Sequence, residues 1–190
     1  MQKLNDTAHK ILDIAEFFTQ TKGFNAFSYK DIQTEMGIKT SSIHYYFPTK
    51  KHLALAMTER YVNNFQIALL NIRDQYPSGV DQIQNMTEVY IDVVKQNKFC
   101  MCGMLASELT SICDASVAKL IFFFEVVQNW VEEAITLGQE QSLIKKDISA
   151  KATATGFVSV IEGAMLIARA KGEPEHLINV MNNTIGQLKA

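Results

Sequence analysis

An all-α fold of about nine helices follows from three features of the sequence. Hydrophobic residues recur at intervals of three and four along most of the chain, the spacing that lays them on one face of a helix. Gly and Pro, the residues that punctuate chains of strands and turns, number only nine and three among 190 residues. Hydrophobic residues make up 47% and charged residues 20%, a balance that builds a core instead of leaving the chain disordered. This length holds one or two compact domains. No apolar run reads as long enough to span a bilayer, and the opening MQKLNDTAHK lacks a signal-peptide layout, so a cytoplasmic protein is expected.

The first helix is read over residues 7–22, where Ala8, Ile11, Leu12, Ala15 and Phe18 form an inward stripe and Gly23 ends the pattern. Phe24 and Phe27 are expected to close a small core against Ile32 and Ile43. Ser28, with Asp31 three residues on, reads as the capping box of a second helix. From Ser28 to His52 the chain runs SYKDIQTEMGIKTSSIHYYFPTKKH: two short helices joined by a tight turn at Gly37 and closed by Pro48. With 40–47 helical, Ile43 and Phe47 share one face while Ser41, Ser42 and Tyr45 lie on the other.

Thr49 is a good cap for the next helix, which places Lys50, Lys51 and His52 in its first turn. The helix dipole already puts positive partial charge there, so lysines are locally unfavourable unless an anion docks. Backbone N–H groups and a lysine ammonium together suit a phosphate. A polar helix face beside a basic helix start suggests a helix-turn-helix laid against DNA.

These residues carry a family resemblance. The run ILDIAEFFTQTKGFNAFSYKDIQTEMGIKTSSIHYYFPTKKHL, Ile11 to Leu53, resembles the DNA-binding domain of the TetR family of transcriptional regulators. The spacing from Gly23-Phe24 to Asp31-Ile32, Gly37-Ile38, Tyr46-Phe47 and Lys50 is similar to the family pattern without gaps. Departures fall at Gln33, Met36, Lys39, Thr40-Ser41 and His44. The resemblance implies an N-terminal three-helix helix-turn-helix DNA-binding domain, joined by a continuous helix to a larger helical ligand-binding and dimerisation domain. The division is expected near Arg60, giving domains 1–60 and 61–190. On DNA, Ser41, Ser42 and Tyr45 are expected to face the groove, with Thr40 and His44 at its margin. Tyr29, Lys30, Tyr46 and Lys50 are expected on phosphates, since hydroxyls and ammonium groups satisfy backbone oxygens without reading sequence. For Tyr46 a partly buried ring completing the small core is an equal alternative.

A long helix is read from Thr49 toward Tyr76, carrying Leu53, Ala56, Met57, Tyr61, Phe65, Leu69 and Ile72, and broken by Pro77-Ser78-Gly79. In the resembled family its tilt transmits ligand occupancy, and a rigid element carries a displacement that a floppy linker absorbs. Further helices are read at about 81–97, 101–112, 115–138, 149–170 and 175–188. Val117, Leu120, Ile121, Phe124, Val127 and Val131 give the helix over 115–138 a long buried face. An apolar ligand cavity is sketched by Met86, Tyr90, Met104, Leu105, Phe123, Val127, Trp130 and Met165, with Met101 nearby; the competing reading of each is ordinary core. Glu108 and Glu162 sit on otherwise apolar helices, either fixing a cationic or hydroxylated ligand or facing solvent.

Over 149–170, Ala152, Gly156, Ser159, Gly163 and Ala164 recur at helical spacing as a strip of small side chains, with Val160 and Ile167 alongside. Mid-helix glycine costs about 1 kcal/mol relative to alanine, so two of them suggest close approach of another backbone. The resemblance implies that this helix and the last, through Ile178, Met181 and Ile185, pack against a second subunit. The alternative is that the strip admits a helix of the same chain.

Charge is uneven: residues 1–60 carry eight Lys and Arg against six Asp and Glu, and residues 61–190 carry ten against fourteen. A modestly basic end on an acidic body fits one end used for DNA. Cys100, Cys102 and Cys113 lack the paired spacing of a zinc site and form no set with His9, His44, His52 or His176, so no metal and no cofactor is expected. The leading expectation is a transcriptional regulator, a repressor released from a palindromic operator by a small apolar or aromatic effector, working as a homodimer without a membrane. The alternatives are a regulator sensing thiol oxidation through Cys100 and Cys102, or a cysteine-dependent enzyme. No nucleophile elbow, phosphate loop or metal motif supports an enzyme.

Overall fold

The computed structural model describes residues 6–190. Residues 1–5, which the expected first domain includes, lie outside the described residues. The elements in chain order are α1 (Asp6–Lys22), a short 3-10 turn (Phe24–Ala26), α2 (Tyr29–Met36), α3 (Thr40–Tyr46), α4 (Lys50–Gln75), α5 (Gly79–Lys95), α6 (Met101–Ala106), a second 3-10 turn (Leu109–Ser111), α7 (Asp114–Glu140), α8 (Ala150–Lys171) and α9 (Pro174–Leu188). The protein is all-α, with one isolated bridge between Ile144 and Lys189 as the extended pairing among the described residues.

Two compact units emerge. One is Met1–Asn63 with Met101–Ile121; the other is Asn64–Cys100 with Phe122–Ala190. The first break falls inside α4, close to Arg60. The segment 101–121, which the sequence reading assigns to the second domain, instead belongs with the N-terminal helices, because α6 packs against α1.

In the first unit the predicted stripe of α1, Ala8, Ile11, Leu12, Ala15 and Phe18, is buried, joined by Ile32, Ile43, Phe47, Leu53 and Met57. Burying such side chains is worth about 1.5–3 kcal/mol each before conformational entropy is subtracted. Arg60 fastens α4 to α1, its guanidinium meeting Asp13 Oδ1 at 2.6 Å and Glu16 Oε2 at 2.9 Å. Where a helix is expected over 101–112, α6 stops at Ala106. Glu108 is drawn away to accept the backbone N–H of Asn25 at 2.8 Å, and Asn25 Nδ2 donates to Ser111 Oγ at 2.7 Å. These are tertiary bonds that local helix propensity does not encode.

In the second unit α8 and α9 form an antiparallel hairpin, turned by Gly172 at φ 69° with Pro174 opening α9, and α5 packs against both. At the start of α5, Gly79 is obligatory. A Cβ there would run into the Ala134 carbonyl oxygen and come within 2.6 Å of the Gly138 nitrogen on α7. The C-terminus is held by Lys145 N–H donating to Leu188 O at 3.0 Å and Ala190 N–H to Leu143 O at 3.1 Å.

One expectation needs correcting. Over Ala150–Lys171, α8 is long and apolar enough to cross a bilayer, contrary to the reading that no such stretch exists. Its apolarity has a different cause: Ala154, Phe157, Val158, Ile161, Ala164, Met165 and Ala168 are buried against the protein, and the opposite face carries the small-residue strip. It is not a membrane span.

Candidate nucleic-acid interface and interior polar cluster

Local chemistry builds the helix-turn-helix. Ser28 and Asp31 form the predicted capping box, the Asp31 carboxylate accepting from the Ser28 N–H at 2.7 Å and the Ser28 hydroxyl at 2.6 Å, which holds its pKa below the ordinary carboxylate value. The Cα of Gly37 sits at φ 68°, the left-handed conformation the α2–α3 turn requires. Ile43 and Phe47 then seat α3 in the core.

That seating decides which side chains face out. Ser41, Ser42, His44 and Tyr45 are exposed, Tyr45 by 79%. Tyr46 is half-buried, its ring meeting Tyr45 edge-on at 5.1 Å between centroids. Thr40 is half-buried with its hydroxyl bonded to Gln33 Oε1 across the turn. The His44 ring lies 4.7 Å from that of Tyr29, and its Nδ1 pairs with the Pro48 carbonyl oxygen at 3.1 Å.

Two expected phosphate contacts are overturned. The Tyr29 hydroxyl is turned inward to donate to the Phe47 carbonyl at 2.8 Å, and burial pushes its pKa up to about 12. Lys50 is turned inward as well. Its Nζ donates to the Phe24 and Phe27 carbonyl oxygens and lies 4.5 and 4.3 Å from those two ring centroids. Desolvation pulls its pKa below the usual lysine value, against the opposing pull of Glu108 and Asp31. The lysine that opens α4 is therefore a clip holding the loop after α1. Lys30, Lys39 and Lys51 are among the cationic groups left exposed in this unit, and Lys39 and Lys51 were absent from the expected contacts. Their signal was available: surface lysines flanking the polar face of α3.

The expected ligand set divides between the two units. Met86, Tyr90, Phe123, Val127, Trp130 and Met165 are all buried in the second. Met104 and Leu105 belong to the first, where α6 packs against α1 and Met104 Cε lies beside Gly23; they are withdrawn from the set. Glu108 likewise serves the Asn25 loop. Within the second unit Phe65 stands 5.6 Å from Tyr90 and 5.1 Å from Phe123, ring centroid to centroid, each pair edge-on. Glu162 on α8 accepts a hydrogen bond from the Cys100 thiol, and burial raises its pKa to about 7. Two depressions of about 350 and 500 Å³ in this unit are lined by other residues, the smaller by Val94, Lys95, Lys98 and Arg169 among others, the larger by Ser78, Asp81, Leu143 and Lys189 among others.

On α8, Ala152, Gly156, Ser159, Val160, Gly163 and Ile167 are exposed, with open space where a Cβ would stand on Gly156 and Gly163. No helix among the described residues covers the strip. Ile178 is half-buried, whereas Met181 and Ile185 are buried in the protomer's own core and are withdrawn as interface residues, since α9 turns that face toward α8 and α5. Cys100 and Cys102 are buried too, without the exposure an oxidant-sensing thiol needs.

Comparison with known proteins agrees with this architecture. Residues 11–57 match the family described as bacterial regulatory proteins, tetR family, and residues 79–184 match the tetracyclin repressor-like C-terminal domain. A curated relative from Lactococcus lactis subsp. lactis, an uncharacterized HTH-type transcriptional regulator in the lacX 3' region, is 26% identical over 190 residues, covering 98% of this chain and 93% of its own. Among solved structures, a TetR transcriptional regulator from Legionella pneumophila is 29% identical, covering 99% of this chain and 100% of its own, with a TM-score of 0.87. A TetR-family regulator from Agrobacterium tumefaciens superposes with a TM-score of 0.91 at 25% identity, covering 96% of this chain and 97% of its own. The chain belongs to the TetR family: it is a DNA-binding transcriptional regulator, not an enzyme.

Proposed function

We propose that the protein is a ligand-responsive repressor that acts as a homodimer in the cytoplasm, holding a palindromic operator until a small apolar or aromatic effector enters the second unit. The observation that carries this reading is the outward face of α3, where Ser41, Ser42 and the almost fully exposed Tyr45 project from a helix whose other side is seated by Ile43 and Phe47. An aromatic ring held in solvent is costly to leave idle and well suited to thymine methyls and sugar edges. With no arginine on α3, guanine readout by a guanidinium fork is missing, and specificity rests on hydroxyl contacts, methyl contacts and DNA shape. Lys30, Lys39 and Lys51, with the Tyr46 hydroxyl, supply contacts to phosphates. Thr40 and His44 frame the reading face.

One such helix makes few base contacts. Two, related by a twofold axis, read half-sites roughly 34–36 Å apart or a multiple of that. The uncovered strip on α8, flanked by Leu166 at 59% and Ile167 at 46% exposure, supports pairing through that helix. Met86, Tyr90, Phe123, Val127, Trp130 and Met165 supply the apolar and aromatic surroundings an effector needs.

Gel shifts of the purified full-length protein against DNA upstream of its own gene test the reading. Retardation that survives excess non-specific competitor, and that is lost on Tyr45→Ala, is the expected result. A wild-type dimer that discriminates no fragment at any salt concentration overturns it.

A further inference from the structure

The smaller depression of the second unit has a basic wall. Its volume is about 350 Å³, and Lys95, Lys98 and Arg169 line it together with Asn97, Val94 and Pro174. No Asp or Glu among the described residues belongs to that lining. The three cations come from three places: the last residue of α5, the loop that follows it, and the last turn of α8. Packing of α5 against α8 and α9 brings those places to one cavity. Lys98 and Arg169 are half-buried there, partly withdrawn from water.

Cations at helix ends have an ordinary explanation, which is to cap the last carbonyls and meet the negative end of the dipole. Here backbone groups do the capping. At the end of α5 the Asn97 N–H donates to Val94 O at 2.9 Å and the Lys98 N–H to Val93 O at 3.1 Å, with Asn97 at φ 57°. At the end of α8 the Gly172 N–H donates to Arg169 O at 3.2 Å and the Glu173 N–H to Ala168 O at 3.0 Å. A helix end carries about half an elementary charge, and Pro174 brings the opposite, amide end of α9 into the same wall, so the dipoles fall short of three full charges. Asp92 approaches Lys95 only to 3.9 Å, with both side chains more than half exposed, which makes that pair weak. Like charges gathered in a concavity concentrate a positive field that an arriving anion lowers.

We propose that this cavity binds a small phosphate monoester, its phosphoryl group held by Lys98, Arg169 and Lys95 and its compact apolar part lying on Val94 and Pro174. The site is separate from the aromatic interior assigned above to the effector, since none of Met86, Tyr90, Phe123, Val127, Trp130 and Met165 lines it. A phosphate monoester carries a charge of about −1.5 to −2 at neutral pH and several acceptor oxygens, which suits cations converging from three places better than a single carboxylate does. The guanidinium of Arg169 adds a planar fork that matches two of those oxygens. The volume lies at the small end of ligand pockets, which run from about 300 to 1,000 Å³, and so selects a compact molecule over a peptide or a nucleic-acid segment.

Calorimetric titration of the full-length protein with phenyl phosphate and with benzoate, at constant ionic strength and pH 7.5, tests the assignment. Both probes carry the same ring, so the comparison isolates the phosphoryl group. Saturable binding of phenyl phosphate at least about tenfold tighter than benzoate is expected. Lys98→Gln and Arg169→Gln should each weaken it by about tenfold or more, while Lys151→Gln, an exposed lysine outside the cavity, should leave it unchanged. No saturable binding, equal affinity for the two probes, or undiminished affinity in both cavity variants overturns the proposal. Binding lost in Lys51→Ala but kept in Lys98→Gln and Arg169→Gln belongs to the DNA-facing head and overturns it as well. If a cavity variant fails to fold, the wild-type preference for phosphate over carboxylate and its persistence in Lys51→Ala still decide.

Discussion

Glu108 accepts the backbone N–H of Asn25 at 2.8 Å across 83 residues of chain. The same carboxylate crowds Gly23, where a Cβ would stand 2.7 Å from Oε1, and its charge supports the Lys50 ammonium that clips the neighbouring loop. The loop between α1 and α2 is thus held from two sides, by α4 through Lys50 and by the segment after α6 through Glu108. Glu108→Ala should destabilise the N-terminal unit by about 1–2 kcal/mol, the loss of a charge-assisted hydrogen bond with partial solvent compensation. Faster hydrogen exchange at the Asn25 amide checks it.

Lys50 and Lys51 should part company experimentally. Lys50→Met strands two carbonyl acceptors and should cost about 1–3 kcal/mol of stability while leaving the salt dependence of DNA binding unchanged. Lys51→Ala, on the exposed side, should leave stability within about 0.5 kcal/mol and lower the slope of log K against log salt by about 1. Denaturant melts and salt-dependent gel shifts of both variants discriminate the clip from the phosphate contact.

Tyr29 and Tyr45 are the matching pair among tyrosines. Tyr29→Phe removes the bond to the Phe47 carbonyl and should cost about 1 kcal/mol in unfolding free energy. Tyr45→Ala should leave the melting curve in place and weaken specific binding by about tenfold or more. A stability loss in Tyr45→Ala, with specific affinity intact, would contradict the orientation of α3.

Glu162 makes a signed pH prediction. Its folded pKa of about 7 stands above the ordinary 4.5, so the native state holds this proton more tightly than the unfolded chain. The resulting stabilisation is fully present below about pH 4.5 and is lost as pH rises through about 7, a change of about 3 kcal/mol at 1.36 kcal/mol per unit. Glu162→Gln lacks the titration. The difference between wild-type and variant stability, measured from pH 5 to 8, should therefore drift toward the variant as pH rises; a flat difference would rule out the raised pKa.

Ile167 tests the second subunit. Ile167→Glu places a charge on the exposed face of α8 without touching the protomer core, and should shift sedimentation toward monomer and abolish operator binding at concentrations where the wild type binds. Met181→Glu, by contrast, should unfold the α8–α9 hairpin, since that side chain is buried within the protomer.

Sequence by itself determined the helices and the head of this protein. Periodic apolar residues, the Ser28–Asp31 capping box and the left-handed Gly37 are short-range rules, and the elements they predict are present within a few residues, except that the helix expected over 101–112 ends at Ala106. The exposed face of α3 was legible for the same reason, because Ile43 and Phe47 leave Ser41, Ser42 and Tyr45 on the far side. Tertiary structure decided where polar groups spend their hydrogen bonds. Lys50 and Tyr29 lie beside surface residues in sequence, yet the carbonyls of Phe24, Phe27 and Phe47 take them inward, and Glu108 ends α6 to reach Asn25. Those partners are 18 to 83 residues away. Periodicity states which face of a helix is buried; which buried acceptor a long side chain finds depends on what the fold brings opposite it.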